Sequence, residues 1–271
     1  TNNIFENVYK FNAKELDEST GYYYYGARYY DPGTSVFLSV DPLAEKFPGM
    51  SPYVYVANNP IRYIDPDGRD IVIPTSLKGS ERRQIMRNLG KLTNDKLSYD
   101  KLTGQVIISK QRTGSKTKGT ELISRVVNSS NTMTITVGAP GSGNSESDVN
   151  SSNAISGVGS YVNVSFDPTS NPDILTVDPK TGNVSGKKRP NQIGLGHEII
   201  HGERSMRGEA IDYNDMGTHT YQDANGNTVT QTVPKEELAT VGLKHNTSKD
   251  ITENDLRNEQ GKTKNKQRGA Y

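Results

Sequence analysis

The chain has 271 residues, with 32 Lys+Arg against 31 Asp+Glu for a net charge of +1, so no overall field draws it to nucleic acid or an anionic membrane. It contains no cysteine, which excludes disulfides and thiolate metal sites and leaves His, Asp and Glu to hold any metal. Hydrophobic residues make up only 31%, so a chain long enough for one large domain or two modest ones is expected to be loop-rich in part, or to pack on something outside these residues.

No run approaches 18 apolar residues, and the opening Thr1-Asn2-Asn3-Ile4-Phe5 lacks the pattern of a signal peptide. The start without Met, in mid-pattern, suggests a fragment or a processed piece. Residues 1–69 hold ten of the 15 tyrosines, punctuated by Asp31-Pro32-Gly33, Asp41-Pro42, Asn58-Asn59-Pro60 and Asp65-Pro66-Asp67-Gly68. Short aromatic segments between such turns predict β hairpins. The wording is also specific. YYYYGARYYDP at 22–32, FLSVDP at 37–42, YVYVANNP at 53–60 and IDPDGR at 64–69 together resemble the RHS repeat-associated core. LDESTG at 16–21 looks like the start of a last YD-type repeat. In that family a long β shell encloses a variable toxin, and the core marks the end of the shell. The resemblance implies that the following residues are cargo, released by self-cleavage near Asp65 to Gly68. An aspartyl mechanism is usual there, with Asp31, Asp41, Asp65 and Asp67 as candidates. Arg69 departs from the pattern, which usually has a hydrophobic residue at that point.

From Asp70 the texture changes. Ile71 to Ile73 predicts a strand, and Ser80 with Glu81 opens a short helix whose Ile85, Met86 and Leu89 share a face. Residues 97–99 and 105–109 flank Gly104 as a hairpin. Residues 121–128 form an amphipathic stretch through Leu122, Ile123 and Val126, and 133–137 alternates like a strand. Residues 138–157 are rich in Gly, Ser and Asn and are expected to be mobile. Residues 161–166 alternate cleanly and stop at Asp167-Pro168. They are read either as the edge strand on which an extended substrate would pair or as an ordinary core strand. Lys187, Lys188 and Arg189 read as a solvated loop, and His219 and His245 as solvated. Helix and strand mix without βαβ regularity, so the fold class is α+β.

The chemistry gathers in the last third. At 197–201 the sequence is His197-Glu198-Ile199-Ile200-His201. On a helix the spacing i, i+4 puts both imidazoles on one face, where they can bind one Zn²⁺, and Glu198 becomes the general base for a water. Ile199 and Ile200, with Gly194 and Gly196 before them, predict a buried helix packed closely on a sheet. Glu198 is too near in sequence to be the third ligand, so that ligand must come from another element. Residues 234–243 predict a helix with Pro234 in its first turn and Gly242 near its end, and Glu236 and Glu237 lie in the first turn. Thr252 to Asp255 is a capping box opening a helix over 253–260. The basic tail 262–271 is by default exposed. Even so, Arg268 and Tyr271 offer the fixed cation and phenolic donor that suit a developing oxyanion. A structural zinc site fills all four positions with protein ligands, whereas a catalytic one keeps a position open.

The order HEIIH, then EELATVG at 236–242, ITENDLR at 251–257 and the closing RGAY at 268–271 resembles the NleD-type effector metallopeptidases. These are injected bacterial zinc endopeptidases, and a similar order occurs in clostridial neurotoxin light chains. The resemblance implies a zincin-like metallopeptidase domain at 70–271, preceded by a β-rich RHS remnant at 1–69. It implies Zn²⁺ on His197, His201 and Glu237, water activation by Glu198, and Glu236 supporting from behind the ligands. Arg268 and Tyr271 would stabilise the tetrahedral intermediate. Ala239 departs from those families, which often have Arg there. Together the two resemblances imply a polymorphic toxin, secreted or injected as part of a larger RHS protein. Its partners would be a protein substrate in a target cell, the RHS shell of its parent chain and a cognate immunity protein, without nucleic acid or membrane insertion. Two alternatives stay open: an RHS-borne metal-dependent nuclease, and a non-catalytic binding module with a structural metal.

Overall fold

The computed structural model describes residues 9–11, 14–25, 28–40, 51–55, 71–261, 263–264 and 266–271, with backbone alone for 9–11, 14 and 15. The chain divides into two compact units, Thr1–Arg69 and Asp70–Tyr271.

In the first unit, β1 (Tyr9–Phe11), β2 (Lys14–Asp17), β3 (Tyr22–Tyr24), β4 (Tyr29–Asp31) and β5 (Val36–Phe37) form an antiparallel meander in chain order. Its turns are set by aspartates that bind their own backbone two residues on. Asp17 accepts from Ser19 N–H at 3.0 Å, and Asp31 from Gly33 N–H at 2.8 Å. Tyr25, Tyr30, Phe37 and Tyr55 are buried and meet largely edge to face, while the Tyr25 and Tyr55 hydroxyls pair at 2.9 Å. These aromatic residues therefore make a small core, in which the Tyr25 and Tyr55 hydroxyls satisfy each other. Of the self-cleavage candidates, Asp31 is the last residue of β4, and its carboxylate binds the backbone of the turn to β5. Asp41, Asp65, Asp67 and the junction at Arg69 lie outside the described residues.

The second unit is built on a four-stranded sheet. Its strands are β6 (Ile71–Val72), β9 (Met133–Val137), β10 (Ser145–Asp148) and β11 (Val162–Phe166), in the order β10-β11-β9-β6. β6, β9 and β11 run parallel, whereas β10 is antiparallel to β11 and lies at the edge. The helices are α1 (Gly79–Leu92), α2 (Thr117–Val127), α3 (Ser151–Ile155), α4 (Asn191–Met206), α5 (Lys235–Val241) and α6 (Glu253–Glu259). β7 (Lys96–Tyr99) and β8 (Val106–Lys110) form one hairpin, and β14 (Met216–Gln222) and β15 (Thr228–Pro234) another. β12 (Asp173–Val177) pairs with β13 (Val184–Lys188) on one side and β16 (Gln267–Arg268) on the other.

The core joins Met133, Ile135, Val164 and Phe166 of the sheet to Leu89 of α1, Leu122 of α2 and Ile199 of α4. α4 is buried along its whole length from Ile193 to Met206, which makes it the central helix of the unit. Two glycines allow this. A Cβ on Gly196 would lie 2.6 Å from Leu256 Cδ1, and one on Gly202 would lie 2.6 Å from Met133 Cε. Among the described residues no helix is long and apolar enough to cross a membrane.

Of the two readings of residues 161–166 the core strand holds, and two further expectations are refined. The strand at 162–166 is interior, between β10 and β9, because its buried Val162, Val164 and Phe166 belong to the core. The edge strand is β10 instead. Residues 138–157, expected to be mobile, contain β10 and α3. Their polar side chains and neighbours replace apolar anchors: Asp167 accepts Gly141 N–H at 2.8 Å, Asn144 Oδ1 accepts Asp167 N–H at 2.8 Å, and Asn150 caps α3 through Asn153 N–H at 3.0 Å. Lys187 and Lys188 are exposed as expected but stand on β13, while Arg189 is half-buried.

Candidate active site

α4 carries His197 and His201 one turn apart on one face, with their rings 4.8 Å apart. α5 faces them. Its Glu237 Oε2 lies 3.1 Å from His197 Nε2 and 3.2 Å from His201 Nε2, and the two Nε2 atoms are 3.2 Å apart. The other ring nitrogens are held from behind. His197 Nδ1 donates to Glu253 Oε2 at 3.0 Å, and His201 Nδ1 to Glu236 Oε1 at 3.0 Å. With the proton fixed on Nδ1, both Nε2 atoms present lone pairs, as a metal-ligating imidazole does. Three acceptor atoms then converge, a repulsive arrangement unless a proton or a metal cation sits between them. Their spacing also suits the edge of a tetrahedron around a zinc-sized ion, about 3.3 Å. His197, His201 and Glu237 are thus a cluster that could hold a metal, and it is compatible with zinc.

The charges around the cluster favour a positive centre. Burial alone would push the His201 imidazole down, but the Glu236 and Glu237 carboxylates hold it up, at about 10. Burial likewise works against ionised Glu237, yet the His197 and His201 rings keep its carboxyl far below the usual range. Buried Glu253 is also held low, through Arg268 and then His197.

Glu236 stands behind His201. Its Oε1 also accepts from Arg204 Nη1, and its Oε2 accepts Ile211 N–H at 2.8 Å. Glu198 is only 7% exposed, lines the cavity beside the cluster, and has no hydrogen-bond partner among the described residues. That cavity has a volume of about 710 Å³. Tyr271 lines it too, its ring 6.3 Å from that of His197 and tilted by 26°. Arg268 does not form the cavity wall. Its Nη1 donates to Glu253 at 3.1 Å, its Nε donates to Ala270 O at 2.9 Å, and its guanidinium lies 4.8 Å from the centre of the Tyr271 ring. The tail is anchored rather than free, because β16 pairs with β12, His219 Nε2 meets Gly269 O at 2.9 Å, and Gln231 Nε2 donates to Tyr271 O at 2.9 Å. His219 is therefore a partner of the tail, contrary to its solvated reading, whereas His245 is exposed.

Sequence reasoning passed over two site residues. Glu253 was visible only as the first residue of a capped helix. Nothing in the capping box signals that it reaches His197. Tyr213 donates to Glu237 Oε1 at 2.6 Å from the loop after α4, and its only sequence signal is an aromatic residue in a polar loop.

Residues 83–268 match the model of Peptidase_M91, a peptidase family described as effector protein. The chain belongs to this family. Over 62 residues, 23% of this chain, it is 43% identical to Salivary gland surface protein 1 of Aedes aegypti. Over 70 residues it is 43% identical to tRNA nuclease WapA of Bacillus subtilis, and over 66 residues it is 48% identical to toxin subunit YenC2 of Yersinia entomophaga. The chain spans 2%, 3% and 7% of the length of these three relatives. Among solved structures it is similar to the zinc-removed apo form of the botulinum neurotoxin type C light chain, at 14% identity and a TM-score of 0.30, over 69% of this chain and 46% of that one. It is also similar to the Clostridium botulinum serotype F light chain, at 14% identity and a TM-score of 0.28, over 59% and 39%.

Proposed function

We propose that the chain is a zinc endopeptidase that acts as a toxin on a protein of a target cell. The observation that carries this reading is the convergence of His197 Nε2, His201 Nε2 and Glu237 Oε2, each backed by a second group, beside a Glu198 that faces open cavity. Bound there, zinc would polarise the scissile carbonyl and lower the pKa of an attacking water. Glu198 takes that water's proton on its carboxylate and returns it to the leaving amine. Tyr271, whose phenol is pushed up by burial and by Glu237, stays protonated and donates to the developing oxyanion. Arg268 acts one step back, by keeping Glu253 ionised behind His197 and by supporting the Tyr271 ring. Glu236 orients His201.

Membership of an effector family supports delivery into another cell, and so do the matches to toxin subunits. The family match covers 83–268, and the relatives' matches have about the size of the first unit. This supports reading 1–69 as an RHS core remnant with the protease as its cargo, freed by cleavage near Arg69 and blocked at home by an immunity protein. The matched tRNA nuclease shares only 3% of its length with this chain. A nuclease also needs a cleft that accepts phosphate, whereas Glu146, Asp148, Glu198, Glu236 and Glu237 all line this one.

The test is zinc content and toxicity of the wild type and Glu198→Gln, with new protein N-termini mapped in intoxicated cells. The expected result is one zinc per chain in both proteins, with toxicity and new termini lost in the variant. Toxicity that survives the substitution would overturn the reading.

A further inference from the structure

We propose that β10 is the wall against which the substrate lies extended, and that Glu146 and Asp148 select a Lys or Arg side chain next to the scissile bond. This rests on the peptidase reading of the same cavity and names its substrate class.

β10 pairs with β11 alone, so among the described residues its outer backbone edge is available to an added strand. All four of its residues line the cavity that contains His197, Glu198 and His201. Along the strand Ser145 and Ser147 are exposed, while Glu146 and Asp148 alternate with them and are half-buried. Glu146 leans over α4 just past the second histidine, with its Cγ 3.7 Å from where a Cβ on Gly202 would stand.

The two carboxylates lack compensation. Glu146 Oε1 and Asp148 Oδ1 are buried without a hydrogen-bond partner. Arg189 lines the same cavity with an unpartnered Nε, yet it makes no ion pair with either of them. Leaving such oxygens bare is costly, and the cost shows: burial, then Asp148, pushes the Glu146 carboxyl up to about 8. An ammonium or guanidinium supplies the donors and the charge that the two oxygens lack. A second resident metal fits less well, since only two carboxylates converge here and a hard cation takes six or so oxygen ligands.

The probes are two degenerate dodecapeptide pools, one containing Lys and Arg and the other norleucine and citrulline in their place. Binding is measured on the full chain carrying Glu198→Gln, and cleavage on the wild type. We expect the cationic pool to be preferred by about tenfold in Kd and in kcat/KM. Glu146→Gln with Asp148→Asn should abolish the preference, and each single change should lower it by about threefold, so that the reading does not hang on the double variant folding. Equal binding of the two pools overturns the inference, as does a preference that survives the double change. If the wild type cleaves neither pool while the cationic preference in binding remains, the peptidase reading fails and the subsite stands. If it cleaves both with equal kcat/KM, the subsite fails and the peptidase reading stands.

Discussion

At the scale of single residues, the site is a set of buried charges that exist only because each compensates another. Glu253 is the clearest case. Fully buried, it accepts from His197, from Arg268 at 3.1 Å and from Arg257 at 3.3 Å. Glu253→Gln should cost about 3 kcal/mol in urea unfolding, because two guanidinium groups lose their counter-charge. It should also weaken zinc by about 10- to 100-fold in a chelator competition; unchanged zinc affinity would remove Glu253 from the site. Glu146 makes the opposite prediction. Its carboxyl titrates at about 8 in the folded chain, against an ordinary 4.5. Between those values the folded state keeps a proton that the unfolded chain has released, so this residue's contribution to stability falls as pH rises from 4.5 to 8. Glu146→Gln should therefore show a Tm advantage that is small at pH 4.5, widens to pH 8 and then levels. A gap independent of pH would show that Glu146 is not the titrating group. The imidazoles were legible because a fixed spacing on a helix encodes their direction, whereas Glu237 was implied only by the family resemblance. Tyr213, Glu146 and Asp148 were not legible, because loops and a short polar strand carry no such geometry.

At the scale of elements, the site depends on how three helices meet. α4 brings the histidines, α5 brings Glu236 and Glu237, and α6 brings Glu253. The joint between α5 and α6 is Gly242, which ends α5 with φ of 85°. A Cβ there would lie 2.7 Å from Oγ1 of Thr252, the residue that caps α6. Gly242→Ala combines a left-handed conformation with a clash, and should cost about 1–3 kcal/mol. Zinc affinity should fall with it, since Glu237 and Glu253 lie on the two sides of the joint; a variant with the parental Tm would show that the joint can relax. The histidine spacing on α4 and the ends of α5 and α6 could be read directly. The order of strands in the sheet could not, because Val162 to Phe166 and Met133 to Val137 alternate alike and only packing decides which strand is flanked on both sides. β10, with no apolar residue but two acidic ones, was hidden for the same reason.

At the scale of the molecule, the hydrophobic core that carries the site lies wholly within Asp70–Tyr271. A chain starting at Asp70 should therefore unfold in one cooperative transition and bind zinc as the full chain does. Loss of cooperativity or of zinc would show that residues 1–69 are needed for the fold. The tail has the opposite standing. β16, Arg268 and Tyr271 are tied to β12, to Glu253 and to the β14–β15 hairpin, so the last residues complete the site rather than trail from it.

What the sequence determined alone was local and periodic: the i, i+4 histidines with Glu198 between them, the acidic first turn of α5, the capped start of α6, the α+β mixture and the tyrosine-rich hairpins. Each follows from backbone geometry within one element, so neighbouring residues suffice to specify it. The tertiary structure decided what lies between elements: that Glu237 rather than Glu236 points its oxygen at the histidines, that Glu253 and Arg268 form the support behind them, and that β10 walls the cavity. Those relations depend on burial, which sets both which charges must find partners and which strand edge stays open, and burial belongs to the packed chain as a whole.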